Sequence, residues 1–587
     1  MKQLFRIKKI ESILNDNSSD QSAHTSGLKR VLNTRDLTFF GIAAILGAGS
    51  FSSLGSAIFN GGPGVIFLFI ITAIACAFTA LCYSEFASRI PVAGSAYTYA
   101  YASFGELFAW IIGWALIMEY SIGNIYVAFS WSDYFTSFMN KLGWHIPEWL
   151  STSYMEAKHG IEAGTTHQET ILAWQNAPLV GGIRMILDLP ALTINVIITY
   201  LVFKGIKESR NFSNLMVILK MVVVLLVIIV GGYLVFSNGL TANWLPINDA
   251  GVESFMPNGF KGVMAAVSGV FFAYIGFDAV SVLAEESKNP QRDLPRGMIY
   301  SLVICTVVYI LLTLVLTGAA HYKSFEGVGD PLAFIFETNN LNVPWMQLLV
   351  AIAAVVAMTS VLLVFQMGQP RIWMSMSRDG LMPKIFQRIH PTYNTPSFST
   401  ILTGLVVGAP ILFTDKTFVL DFTSIATLFA FVLVCGGVLL IPAKEKQHGR
   451  FHLPYVNGQF IFPLLVCISI TIISIQNSGY WSSLFEFDYS TNKDFTSGKM
   501  NFLDLATPNI SLIIFWLVLI LLSVITIIKK YSLIPLLGLS TCLYLLTGMT
   551  KSNWTWFLGW LLLGLVIYFL YGYNHSKLKE NEIPGRR

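Results

Sequence analysis

The sequence predicts an all-α integral membrane protein, made of two five-helix units in inverted repeat followed by about four extra helices. Three observations carry this: too few charges to cover a water-facing surface, apolar runs of spanning length, and glycine-rich interruptions in the first and sixth of them. Of 587 residues, 54% are hydrophobic and 12% charged, and mean hydropathy is +0.62. Soluble domains carry about 25% charged residues. A soluble enzyme, a disordered chain and a disulfide-built secreted domain are therefore excluded.

A spanning helix needs about 20 apolar residues. About fourteen runs qualify: 37–59, 65–86, 106–137, 188–206, 212–236, 261–285, 298–319, 344–367, 398–413, 419–442, 459–477, 510–528, 531–548 and 553–573. The ninth is short. They divide the chain into an N-terminal tail (1–36), a first unit (37–236), a second unit (261–442), an extra group (459–573) and a C-terminal tail (574–587). An even count puts both termini on one side. Of the 37 Lys and Arg, 27 then fall on that side, 9 on the other and Lys220 within a span. By the positive-inside rule that side is the cytoplasm. The N-terminal tail has no apolar signal-peptide core.

Cys76, Cys82, Cys305, Cys435, Cys467 and Cys542 all lie in apolar runs, without metal-ligand spacing, and read as buried reduced thiols. Two outside loops are long, 140–187 and 478–509. The first holds Trp144, His145, Trp149, His159, His167 and Trp174. A metal site and amphipathic surface segments are both open readings there. The lack of a tight His-x3-His spacing favours the segments.

The first run contains Gly41, Gly47, Gly49 and Gly55, and the sixth contains Gly269 and Gly276. Such glycines serve close helix packing or mark broken helices, which lipid tolerates only where the backbone lines a cavity. Broken helices opening each of two five-helix units are the pattern of an inverted-repeat transporter. An unwound segment frees amides that attract an anion and carbonyls that attract an ammonium. An α-amino acid carries both groups at the required separation.

A charge at mid-bilayer costs about 2.5–3.5 kcal/mol on insertion scales. Glu119, Lys220 and Asp278 lie well inside spans. Lys220 reads as a structural or snorkelling cation, paired with Asp278, or as a fixed ammonium whose protonation, shared with Asp278 or Glu119, couples transport to protons. Burial disfavours the charged form of either kind of group.

Several stretches resemble bacterial members of the cationic amino acid transporter family, within the amino acid–polyamine–organocation superfamily. They are Leu28-Lys29-Arg30 through Phe40-Gly41-Ile42, Tyr83-Ser84-Glu85 through Ala96-Tyr97, and Glu119-Tyr120 with Trp131-Ser132-Asp133-Tyr134. The most specific are Phe272 to Gly297 and Gly368-Gln369-Pro370-Arg371 through Leu381-Met382-Pro383. The resemblance runs from about Leu28 to Ile473 and weakens in the last spans. It implies a leucine-transporter-like fold in the cytoplasmic membrane. It implies that amides of Gly47, Ala48, Gly49 and Ser50 hold the substrate carboxylate, and that carbonyls of Ile45, Phe272, Ala273 and Ile275 hold its amine. Phe272 or a near neighbour would also cover the substrate as a gate. Lys220 matches a lysine bridging the two broken helices, and Asp278 and Glu119 match buried acids.

One departure stands out. Ser50 replaces a usual Ile, and Ser52 and Ser53 follow, so this half-helix accepts a more polar substrate or lends a hydroxyl to its carboxylate. Arg89, Arg292 and Arg371 with Glu285 or Asp293 are either an inner gate or ordinary positive-inside charges. The expected activity is proton-coupled import of an α-amino acid by alternating access. The expected partners are that substrate, protons and the lipid bilayer, with no cofactor, metal or nucleic acid. An exchanger and a transport-dead sensor stay open, as does a membrane enzyme using Glu119 and Asp278 as acid and base.

Overall fold

The first helix starts where the sequence offers a capping box. In this computed structural model, Asn33 Oδ1 accepts from the amides of Arg35 and Asp36, and the Asp36 carboxylate accepts from the Asn33 amide. Orphan donors of the first turn are thereby satisfied. The structure describes residues 6–8, 32–47, 49–90, 95–162, 168–205, 210–248, 251–393, 395–440, 451–486 and 502–578. Its principal helices in the first half are α1 (Thr34–Ile45), α2 (Leu54–Gly61), α3 (Val65–Arg89), α4 (Ser95–Ser103), α5 (Glu106–Lys141), α6 (Leu189–Lys204) and α7 (Arg210–Leu226). Then follow α8 (Gly259–Ala265), α9 (Val267–Phe272), α10 (Pro290–Ala319), α11 (Pro344–Arg378), α12 (Ser397–Ile411) and α13 (Lys416–Leu440). The last group is α14 (Ile461–Gln476), α15 (Phe502–Lys529), α16 (Leu533–Leu546) and α17 (Lys551–Ile567).

The protein is a multi-pass membrane protein. Among the described residues, eight helical runs are long and apolar enough to cross a bilayer, one of them taking in the first two sequence spans (Thr34–Arg89). Four shorter apolar helices, α6, α12, α14 and α16, accompany them. The sixth sequence span is in neither group, because α8, α9 and the turns after them never form one continuous helix.

One large apolar core runs through α1, α3, α5, α9, α10, α11 and α13. Helix α5 is its axis, with α11 and α13 packed along it, while α10 lies against α1 and α3. Helices α14, α15 and α16 share a separate small cluster around Phe462, Val466, Phe515 and Trp516. The large apolar residues they expose, such as Leu464, Leu517 and Leu521, suit a lipid surround. Cys467 is exposed there, whereas the other five cysteines are buried. Helix α17 docks on α5 through a tryptophan stack: Trp114 and Trp560 lie 4.7 Å apart and each indole N–H donates to the other's carbonyl.

The 140–187 loop does more than lie on a surface. Helices Tyr154–Glu162 and Gln168–Asn176 pack through Ala157 and Ala173, joined by Ala177, Ile186, Trp149 and Trp174. A short hairpin, Leu179–Val180 with Ile183–Arg184, closes the cap. Arg184 stacks on Trp174 and donates to its carbonyl at 2.6 Å. Small alanines at the contact let the two helices close into a cap with its own core, so the loop folds instead of spreading. His145 sits 3.3 Å from Glu148 and His159 3.1 Å from Asp415. His167 and residues 487–501 lie outside the described residues.

Candidate functional site

Both glycine-rich spans are interrupted. Helix α1 stops at Ile45, Leu46 leaves helical geometry (ψ 76°), and the chain rewinds through a wide turn, Gly49–Ser53, before α2. Helix α9 stops at Phe272, and a tight 3₁₀ coil begins only at Asp278. Between them Gly276 has φ +115°, which side-chain-bearing residues rarely adopt. The two interruptions touch. A Cβ on Gly49 would lie 2.5 Å from the Ala273 Cα, and one on Gly276 2.9 Å from the Ala44 Cβ. Close packing and helix breaking are thus served by the same glycines.

Side chains from outside the pair hold the breaks open. The Lys220 ammonium donates to the Ala43 and Leu46 carbonyls at 2.8 and 2.7 Å. These are carbonyls that the end of α1 would leave orphaned. The Tyr309 hydroxyl of α10 lies 2.9 Å from the Ile45 carbonyl and 2.6 Å from the Ala273 carbonyl, so one group bridges both breaks. From within the first span, the Ser53 hydroxyl adds a second bridge, 2.7 Å from the Gly49 carbonyl and 2.9 Å from that of Gly269. The sixth-span break is also capped from within, because the Asp278 carboxylate lies against the amides of Gly276, Ala279 and its own residue.

The structure separates the three buried charges into two groups. Lys220 makes backbone bonds, and no ion pair with Asp278 occurs. Glu119 instead faces Asp278 and the Thr427 hydroxyl, and its Oε2 has no hydrogen-bond partner among the described residues. Of the other expected residues, Ile45, Gly49, Phe272 and Ile275 line one small cavity, together with Ala44, Val127, Val361 and Phe365. Its volume of about 10 Å³ is that of a single water. Ala273 is held in the Tyr309 bridge, and the Gly47 carbonyl accepts from the Ser50 hydroxyl. Ala48 lies outside the described residues.

The serine-rich half-helix spends its hydroxyls on the protein. Ser50 donates to Gly47, Ser52 to Gly329 and Ser53 to Gly49 and Gly269. The expected polarity toward a substrate is absorbed by backbone carbonyls that the break itself exposes.

Above the cavity, Phe272 meets Tyr126 edge to face at 4.5 Å. Over that contact opens a vestibule of about 520 Å³, walled by Ser52, Asn60, Asp133, Asp330 and Lys416 and roofed by Glu148, Glu156 and Glu169 of the cap. Lys416 forms an ion pair with Asp133 and stands 5.7 Å from the Tyr126 ring centre. Burial pushes the Glu156 carboxyl up to about 8, with the Asp133 charge adding. Burial and the Glu337 charge push Asp330 up to about 7.

A family model for amino acid permeases matches residues 32–487. The chain belongs to the amino acid permease family. A branched-chain amino acid permease of Bacillus subtilis (strain 168) is 35% identical over 577 residues, covering 98% of this chain and 99% of that one. A methylthioribose transporter of the same organism is 37% identical over 471 residues, 80% of this chain and 92% of its own. Cationic amino acid transporter 3, mitochondrial, of Arabidopsis thaliana is 28% identical over 621 residues, 98% and 96%. The superfamily resemblance drawn from the motifs is thereby established, and the permease is a transporter, not an enzyme.

Reading the sequence missed Tyr309, Val127, Val361 and Phe365 of the permease's centre and the Lys416–Asp133 pair at its mouth. Tyr309 sits in an unbroken apolar run where nothing marks it. At the opposite end, Arg89 pairs with Glu85, which also accepts from the Leu453 amide at 2.7 Å. Asp293 takes the Thr34 hydroxyl at 2.7 Å, tying α10 to α1. The side chains of Glu285 and Glu286 lie outside the described residues.

Proposed function

We propose that this permease imports neutral, largely apolar α-amino acids across the cytoplasmic membrane, driven by protons, with both termini in the cytoplasm. The observation that carries the reading is the pair of facing helix breaks around one cavity. An unwound backbone offers amides to a carboxylate and carbonyls to an ammonium. Gly47, Ala48, Gly49 and Ser50 would supply the former, and Ile45, Phe272, Ala273 and Ile275 the latter. The substrate side chain would meet Val127, Val361 and Phe365. These walls carry no acid to pair with a Lys or Arg side chain, and no polar side chain for the hydroxyls of a thiosugar. Buried hydroxyls without partners are rejected strongly.

The contracted cavity implies movement. A space the size of one water must widen to take an amino acid, and the vestibule over Phe272 and Tyr126 supports opening toward that side. Alternating access in a five-plus-five inverted repeat does this by rocking one helix group against the other. About fourteen spans result when the interrupted sixth and the short helices are counted with the long ones.

Lys220 suits the coupling role. Its positive charge sits at the carbonyl end of α1, where a cation is stabilising. Losing the proton would weaken that hold and loosen the break. Glu119 and Asp278 form the second proton-binding pair. The test is uptake of a labelled amino acid panel into proteoliposomes with an imposed pH gradient. Accumulation of leucine-like substrates that collapses with the gradient is expected. Uptake indifferent to the gradient overturns proton coupling, and uptake requiring internal amino acid identifies an exchanger instead.

A further inference from the structure

We infer that Lys416 and Asp133 form a first-contact site for the substrate zwitterion, and that its binding there unlatches the mouth of the permease. The inference rests on the proposed amino acid substrate. The pair closes a gap between two helices, since Lys416 opens α13 and Asp133 lies in the last turns of α5. It borders a vestibule of about 520 Å³, ample for one amino acid. The side chains keep 17% and 32% of their exposure, so an entering solute reaches both charges.

The chemistry is an exchange of like for like. The pair consists of one ammonium and one carboxylate, which are the two groups of an α-amino acid. A zwitterion offers a carboxylate to Lys416 and an ammonium to Asp133, so both charges stay paired while their mutual contact is broken. Neither of these part-buried charges loses its partner in the exchange. A molecule with only one of the two groups leaves one partner unpaired. The latch also reaches the lid. Lys416 lies 5.7 Å from the Tyr126 ring, and Tyr126 seals Phe272 over the central cavity. Moving Lys416 removes a cation held near that ring, freeing Tyr126 to part from Phe272. On the opposite wall the Ser52 hydroxyl donates to the Gly329 carbonyl at 3.0 Å, and Gly329 lies against Asp133, so the latch touches the second half of the broken first span.

The experiment is leucine uptake into proteoliposomes by wild type and by Lys416→Gln and Asp133→Asn. Each variant is expected to raise the external half-saturation concentration about 10-fold, equivalent to about 1.4 kcal/mol. In wild type, half-saturation should rise with ionic strength, because salt screens solvent-reachable charges, and 4-methylpentanoate and leucine methyl ester should compete poorly. The reversed pair, Asp133→Lys with Lys416→Asp, restores complementarity and should return half-saturation to within about threefold of wild type. Folded single variants with wild-type half-saturation overturn the latch. If the single variants do not fold, a salt-insensitive wild type, or competition by the ester or the acid as strong as that of unlabelled leucine, overturns it. Wild-type vesicles that take up no member of the amino acid panel overturn the proposed substrate class, a failure distinct from that of the latch.

Discussion

Lys220 and Lys416 are both largely buried lysines, yet their partners differ in kind. Lys220 holds two backbone carbonyls in the closed centre, and Lys416 holds a carboxylate at the vestibule. The centre uses fixed backbone dipoles, which dissolved salt does not reach. The mouth uses a charge pair among further acids, which salt screens. A break that must hold until its lysine releases a proton needs the first kind of support, and a contact that an entering solute must open suits the second.

The comparison breaks hardest at the centre. Lys220→Met strands the Ala43 and Leu46 carbonyls in a buried setting. A loss of about 3 kcal/mol is expected, read as a lower thermal-unfolding midpoint, together with abolished gradient-driven uptake. Lys416→Gln should leave that midpoint nearly unchanged, since its partner keeps access to water. Equal destabilisation by the two substitutions would erase the distinction. Next in size is Gly276→Ala, which combines a disfavoured φ with a Cβ 2.9 Å from that of Ala44. It should cost about 2 kcal/mol and lower uptake, because the breaks can no longer approach. A neutral outcome in a thermal-shift assay would mean that the backbone there relaxes freely.

These two residues were visible in the sequence for the same reason that they matter. A lysine inside an apolar run, and glycines where lipid demands continuous helix, are conflicts that only function or tertiary support resolves. Tyr309 presents no conflict, since an aromatic in an apolar helix is ordinary until its hydroxyl is known to face two broken backbones. Val127, Val361 and Phe365 are silent in the same way. Lys416 and Asp133 are 283 positions apart, and nothing in the neighbours of either points to the other. Ser52 and Ser53 were conspicuous, but their partners were not. Their acceptors, Gly329 and Gly269, come from distant parts of the chain.

Tyr309→Phe sharpens the centre half of the comparison. The hydroxyl has one proton for the Ile45 and Ala273 carbonyls, so its removal deletes one net bond, about 1 kcal/mol. Stability should change little more than that. Half-saturation for substrate should rise a fewfold, because the two breaks lose their shared tether. A large stability loss with unchanged half-saturation would make Tyr309 a packing residue alone.

The last test is of the mouth and reads a slope with pH. Glu156, in the cap, is held up at about 8 by burial and by Asp133, with Asp188 and Asp415 acting in the same sense and Lys416 opposing them. An unfolded chain would ionise it near about 4.3. Between these values the folded protein binds more protons than the unfolded one, so its stability falls as pH rises toward 8 and levels off above it. Glu156→Gln cannot ionise and should make that slope shallower, with its gain over wild type greatest above pH 8 and absent near pH 4. Thermal-unfolding midpoints of both proteins across that range decide the point. An unchanged slope would mean that Glu156 is hydrated in the open vestibule and that the mouth's acids respond to water more than to one another.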